Sequence, residues 1–584
     1  MAAVQTPPEL PARFRAENLE RNLAALARVD RPLAERICLP VTSDHVVVGP
    51  DERMLLRVHG TSYPLELGPA AVEHCLADAE RHSGALSGAR SVLVFGTGLG
   101  ELVVRLLDNR SSVRVRAWER DPWMLRLALM RRDWSRWIET RRLELALGTD
   151  LLPAHGGPCD PSQPVVWHPL LGRHYRHERR AFEEGLGSRR ALLCTGGLLV
   201  DDLAAALRRR GFGLWPVDAR GLALEELDVT AARVQPDLVA SINMIDGLDG
   251  FCRDRNARLL CWEIDPAAGE PAPATGPTDH CHLFTWRASM VPAWQRAGFG
   301  NVAYLPLATD PETRKPEPLV ARDRERYGAP ISFVGSSMVA NADAFRKRFV
   351  AYWTAWRRNA EKASEEAELL LDGLLAEQRR DFTTWRLPEL LGGLAPEFLQ
   401  AVAGTTATHD PIALVGEIAA AEKRLTTVAR LGDLGIRVWG DTGWKVLEEG
   451  GVTYMGAAAH GSELNKIYCA SAINLDVGRI YQSDIVTMRV FDVLACGGFV
   501  LPEHSEALAE SFELGVELDS WSDPRELRRK VEHYLAHPDE ARAMAERGRH
   551  AVIARHTVDF RVGTMLASMG LGATPDAVRV SEDP

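Results

Sequence analysis

Short apolar runs, each ending in glycine or a polar residue and followed by a helix-like stretch, recur along this chain and leave it few folds to adopt. The first is SVLVF from Ser91, then the turn GTGLGE, the helix-like LVVRLLDN, and a second strand, VRVRAWE, that ends in Glu119. A third run, QPVVWHP, closes this unit. The pattern returns in ALLCTGGLLVDDLAAALRRRGFGLWPVD, and PDLVASIN, ARLLCWEID, HLFTW and NVAYLPLA supply further runs. Apolar strands alternating with helices belong in parallel sheets, because crossover helices cover both faces. The expected class is therefore α/β, built from repeated Rossmann-like units.

At 584 residues the chain exceeds what a single core sustains, so about three units of roughly 100 to 200 residues each are expected. The pattern divides it into a mixed amino-terminal region (1–85), a Rossmann-like domain (86–180), a second Rossmann-like lobe (190–312) and a third (328–570). A helical insertion interrupts the third at about 342–431. LPLATDPETRKPEP, with Pro316 and Pro318, reads as a linker before the strand ISFVGS. Asp523-Pro524 followed by Glu526 has capping-box spacing with proline at the first helical position, and His537-Pro538 opens another helix.

Composition narrows the function classes. Hydrophobic residues at 46% and charged residues at 26% fit a soluble globular chain. A net charge of -11 with mixed signs argues against a general nucleic-acid binder, and Arg208-Arg209-Arg210 reads as a solvated helix end. The nine cysteines, Cys159 among them, are scattered without C-x-x-C or zinc spacing, so reduced thiols and no metal site are expected. No secretory pattern opens the chain and no stretch approaches 18 uncharged apolar residues, which predicts a cytoplasmic protein without a transmembrane segment.

The segment SDIVTMRVFDVLACGGFVLPE, Ser483 to Glu503, carries the most chemistry. A helix starting near Thr487 and stopping at Gly497-Gly498 places Arg489 and Asp492 three apart on one face. Its unpaired amino-terminal N–H groups suit an anion such as a diphosphate. Arg489 offers a fixed fork of donors to phosphate oxygens. The glycines end the helix and let backbone approach a ligand. Gly335 and Ser336, after ISFV, would present a backbone N–H and a hydroxyl to the distal phosphate or sugar.

In order, YLPLATDP, ISFVGS, VWG with Trp444, YMG, ELNKIYCASAINLDV, MRVFDVLACGGFVLPE, ELRRKVEHYL and RHTVDFR resemble the spore-maturation CgeB-like glycosyltransferases over about residues 190–566. The resemblance implies a GT-B fold of two Rossmann-like lobes and a nucleotide-diphosphate sugar as donor substrate, with no cofactor required. It places Asp492 where R-x-F-E-x-x-A-x-G has glutamate, the residue that contacts the ribose hydroxyls. It places Asp484, eight residues earlier, at the acid that contacts the donor sugar. Both positions are Asp here, one methylene shorter than the usual residue. His460 and Tyr468 flank the segment where such enzymes hold the base.

In the amino lobe, Asn243 and Asp265-Pro266 end predicted strands and would face the interlobe cleft, where a glycan or protein acceptor binds. Asp265 is the nominal general base for an inverting transfer. The other glycine loop, FGTGLGE with Glu119 nineteen residues after Gly100, also suits a methyltransferase or dinucleotide site, although Val94 and Phe95 stand where methyltransferases place an acid. With WERDPWMLRLAL, it loosely resembles, over residues 90–170, the amino region of Maf-type flagellin glycosyltransferases. Two rival functions follow: an S-adenosylmethionine-dependent methyltransferase fused to a GT-B module, and a degenerate transferase acting as a binding scaffold.

Overall fold

A computed structural model describes residues 10–572 except 43–44, 59–60, 84–85, 110–111, 154–156, 158–162, 266–270, 359–360, 404 and 406–409. Cys159 and Pro266 lie outside the described residues. The chain forms two compact units, Met1–Cys261 and Trp262–Pro584, so the division falls inside the span 190–312 that the sequence pattern groups as one lobe.

The first unit opens with helices Ala16–Val29 and Arg31–Cys38 and an antiparallel sheet of β1 (Val46–Val48), β2 (Met54–Val58) and β3 (Thr61–Pro64). A parallel sheet follows, with β4 (Ser91–Phe95), β5 (Arg114–Glu119), β6 (Leu143–Leu147) and β7 (Val165–Trp167) in the order β6-β5-β4-β7. The opening helices share its core: Leu26, Leu33 and Ile37 pack with Val92, Val94, Leu106 and Val115. Buried Asn22 fixes the join, its amide donating to the carbonyls of Leu129 (2.9 Å) and Arg132 (2.7 Å) and its Oδ1 accepting from the Trp134 N–H (2.7 Å). β8 (Arg189–Cys194), β9 (Phe212–Val217) and β10 (Leu238–Ile242) then pair in parallel, β8 at the centre. β10 is buried along its whole length, as an apolar run in a helix-covered sheet should be. The boundary between the units lies within β11 (Arg258–Glu263).

The second unit begins with the parallel pair β12 (Cys281–Thr285) and β13 (Asn301–Tyr304). Its main sheet is parallel throughout: β14 (Ile331–Val334), β15 (Ile436–Trp439), β16 (Thr453–Tyr454), β17 (Ile473–Leu475) and β18 (Val500–Leu501), ordered β16-β15-β14-β17-β18. The expected α/β class and Rossmann-like parallel sheets are present. Between β14 and β15 stand helices Val339–Trp356, Ala363–Arg379, Leu387–Leu394, Pro396–Ala403 and Pro411–Ala429. They bury a core of their own around Phe349, Leu371, Leu391, Phe398 and Val415, which Ile480 joins. Asp523 caps helix Pro524–Ala536 as its spacing predicts, accepting from the N–H groups of Arg525 (2.7 Å) and Glu526 (3.1 Å).

The expected linker is a bound strap instead. Thr309 N–H donates to the His556 carbonyl at 3.2 Å, Val558 N–H donates to the Thr309 carbonyl at 2.9 Å, and buried Arg561 donates through Nε to the Pro306 carbonyl at 3.0 Å. Proline and charge mark a segment without helix or strand; they do not distinguish a free segment from one whose carbonyls are held by distant side chains. Among the described residues no helix is long and apolar enough to cross a membrane.

Candidate functional site

The carboxyl ends of β14 and β17 are built around Gly335. Its N–H donates to the Trp439 carbonyl at 2.9 Å, and its carbonyl accepts from Trp444 Nε1 at 2.8 Å. A Cβ on residue 335 would lie 2.8 Å from Arg489 Nη2, so glycine is what lets the guanidinium cross the strand end. Arg489 also donates through Nε to the Val334 carbonyl at 2.9 Å and pairs through Nη1 with buried Asp476, just past β17. Arg424, from the last insertion helix, reaches the same place, donating to the Ser336 carbonyl at 2.8 Å. Both guanidinium groups lie over the Phe333 ring, at 4.8 Å for Arg489 and 5.6 Å for Arg424. Burial, with Arg489 and Arg479 adding to it, lowers the Arg424 guanidinium to about 10. Concentrated positive charge at a parallel strand end is a setting for an anion.

Arg489 and Asp492 share a helix, Met488–Ala495, but not an ion pair. Asp492 is 6% exposed. Its Oδ1 accepts from Thr309 Oγ1 at 2.6 Å and its Oδ2 from Arg314 Nε at 3.0 Å. Burial raises this carboxyl above its ordinary range against the pull of Arg314 and Thr309. Both partners come from the strap, which sequence reading left without a role. Arg314 also donates through Nη1 to Asn465 Oδ1 at 3.3 Å.

The remaining candidates separate. Asp484 is half-buried, with Arg287 Nε at 3.1 Å on Oδ1 and the Ser289 hydroxyl on Oδ2. Ser336 donates its hydroxyl to Asp441 Oδ2 at 2.8 Å. Burial raises Asp441, but hydrogen bonds from Ser337 and Ser336 outweigh it and hold the carboxyl below its ordinary range. Tyr468 is buried, and burial, with Asp492 adding to it, lifts its hydroxyl above the ordinary range. His460 is exposed in the turn before helix Ser462–Ala470, and Asp265 is exposed after β11. Asn243 follows β10 with φ +60°. Gly497, at φ +78°, ends the helix: its N–H donates to the Leu494 carbonyl and that of Gly498 to the Val493 carbonyl. A Cβ on residue 498 would lie 2.6 Å from the Tyr468 carbonyl, so the close approach there is to the protein's own backbone. Asp476, Arg424, Arg314 and Thr309 went unread; only Asp476 had a signal, as the polar residue ending an apolar run.

The first unit's glycine loop is filled by its own side chains. A Cβ on Gly96 would meet Leu171 at 2.8 Å, one on Gly98 would meet His168 Nε2 at 2.7 Å, and one on Gly100 would meet the Trp134 ring at 2.3 Å. Glu119, fully buried, accepts from the Gly98 N–H (3.1 Å), the Tyr175 hydroxyl (2.5 Å) and the Arg120 N–H (2.9 Å). Burial lifts its carboxyl to about 7 despite those bonds. Among the described residues no group of three or more His, Cys, Asp or Glu side chains is placed to hold a metal ion.

Residues 421–567 match the family described as Glycosyl transferase-like, so that stretch is a glycosyltransferase-like enzyme domain. No curated protein matches the chain. A glycosyltransferase from Rickettsia africae ESF-5 is similar in structure at 9% identity and a TM-score of 0.41, over 66% of this chain and 99% of that one. HepE of Anabaena, solved with UDP-glucose, gives 9% and 0.39 over 66% of this chain and 100% of its own. The MAf glycosyltransferase of Magnetospirillum magneticum AMB-1 gives 16% and 0.19 over 50% of this chain and 56% of its own. The strand topology above, rather than these likenesses, defines the fold.

Proposed function

We propose that the chain transfers a sugar from a nucleotide-diphosphate donor to a hydroxyl acceptor on a glycan or protein, without a metal, as a GT-B enzyme of CgeB-like type. The observation that carries this reading is a pair of arginines, buried Arg424 and half-buried Arg489, both within the stretch that matches a glycosyltransferase family, converging over Phe333 at the ends of β14 and β17. A diphosphate would relieve the charge they concentrate. In this reading Arg489 binds the leaving diphosphate, Gly335 and Ser336 lie beside the distal phosphate, and Asp492 meets the ribose. Asp484 orients the donor sugar. In an inverting transfer the acceptor hydroxyl attacks the anomeric carbon as its bond to the diphosphate breaks, and Asp265 takes the proton.

Titration of the full chain with UDP, UDP-glucose and a panel of other nucleotide sugars, with chelator present, tests the reading. At least one diphosphate should bind, and Arg489→Ala should weaken the diphosphate far more than the nucleoside. If no nucleotide binds the parent protein, the donor site is misassigned.

A further inference from the structure

The helical insertion reaches the loop that carries Asp484 as well as the strand ends. Helix Pro411–Ala429 presents Glu417, Ala420, Ala421 and Arg424 at three- and four-residue spacing along one face. Glu417 accepts a hydrogen bond from the Tyr481 hydroxyl. Arg479 Nη1 donates to that hydroxyl at 3.1 Å and lies 3.5 Å from Glu417. The Tyr481 ring rests against Trp385, centroids 5.7 Å apart, and Gly416 makes the room: a Cβ there would lie 2.6 Å from the Trp385 ring and 3.3 Å from Tyr481. Trp385 is set in turn by buried Gln378, whose amide donates to the Thr384 carbonyl at 2.8 Å and whose Oε1 accepts from the Arg386 N–H at 3.1 Å. Ile480, 3% exposed, is part of the insertion's apolar core.

The opposite side of the loop is also fixed. Arg287 Nη2 donates to the Tyr481 carbonyl at 3.2 Å while its Nε donates to Asp484 Oδ1 at 3.1 Å. One guanidinium thus ties the position of Tyr481 to the orientation of the Asp484 carboxylate.

We infer that the insertion is a positioning clamp for residues 478–487: Glu417 and Trp385 fix Tyr481, and Tyr481, through Arg287, sets the direction of Asp484. Tyr481, Glu417 and Trp385 are positioning residues. The consequence for turnover rests on the glycosyl-transfer reading; the clamp itself does not. A carboxylate displaced by about 1 Å loses on the order of a hundredfold in rate, so its loop is worth holding from both sides.

The test uses the full chain with Tyr481→Phe, which keeps the ring and removes the hydroxyl, and Trp385→Ala, which removes the support. Amide hydrogen exchange over 478–487 should speed up about three- to tenfold in Tyr481→Phe, and more in Trp385→Ala, as expected for losing one hydrogen bond and then a packed ring. Exchange in β14, β15 and β17 should stay as in the parent. With UDP-glucose, kcat should fall by a similar factor while KM and UDP affinity stay within twofold. If the parent turns over no nucleotide sugar, the glycosyl-transfer reading fails and the exchange measurement still decides the clamp. Parent-like exchange over 478–487 in both variants, exchange accelerated equally across the whole unit, or a rise in KM with kcat unchanged overturns the inference.

Discussion

Replacing Asp492 with alanine should destabilise its surroundings before any ligand is added. The Arg314 side chain is 11% exposed, and its Nε lies 3.0 Å from the carboxylate. Removing one partner of a buried pair costs about 3–5 kcal/mol, because the other charge stays buried without it. Arg314 keeps a neutral acceptor in Asn465 Oδ1, which points to the lower end, about 3 kcal/mol. Arg314→Ala should cost a similar amount, since the Thr309 hydroxyl alone does not neutralise the carboxylate. The double variant carries neither charge and should therefore cost clearly less than the sum, with a coupling of at least about 1.5 kcal/mol. A chain of two compact units need not unfold in one step, so the assay is amide exchange over 305–318 and 488–495 in the full chain, read as local opening free energies. Two single effects that add to within about 0.5 kcal/mol of the double would refute the argument that the pair is energetically joined.

Asp492→Asn keeps an acceptor for Thr309 and is the gentler probe of ligand binding; nucleotide affinity should fall roughly tenfold to more than a hundredfold, measured by calorimetry. Glu119 supplies a pH test: its carboxyl titrates at about 7 in the fold against an ordinary 4.5, so the fold holds the extra proton between those values. The stability it contributes is full below pH 4.5 and lost as pH rises through 7, up to about 3 kcal/mol by linkage. Local opening of 91–119 should show that slope in the parent and a flat response in Glu119→Gln. The filled glycine loop should leave S-adenosylmethionine unbound in calorimetry, and a micromolar dissociation constant lost on Glu119→Ala would restore the methyltransferase reading. EDTA should leave sugar transfer unchanged, since the sequence has no D-x-D pair at a strand end; activity lost in chelator and restored by manganese would count against the proposal.

The parallel sheets were legible because β4, β8, β10 and β14 are apolar runs whose periodicity is set locally, and helix ends such as Asp523-Pro524 and Gly497 carry their own chemistry. The segment around Arg489 was legible for the same reason: arginine, a helix and two glycines lie within ten residues. The partners of those residues were not. Thr309 and Arg314 sit about 180 residues before Asp492 in a stretch whose composition suits a linker, and Arg424 sits inside an amphipathic helix where arginine is the commonplace solvated choice. The glycine loop misled in a related way. Its glycines do admit close approach, but what approaches is His168, Leu171 and Trp134, each far away in sequence.

The strap across residues 305–318 also sets an order of events for a chain emerging from the ribosome. Thr309 is seated by His556 and Val558, and Pro306 by Arg561, at the start of the last described helix. Those residues are synthesised about 250 positions later, on the order of ten to fifty seconds at typical elongation rates. Until they emerge, the strap lacks the contacts that bring Thr309 to the Asp492 carboxylate. Proteolytic trimming of helix Val558–Ser568 would remove the Val558 and Arg561 contacts while leaving that of His556, loosening the partner of a carboxylate more than sixty residues upstream of the cut.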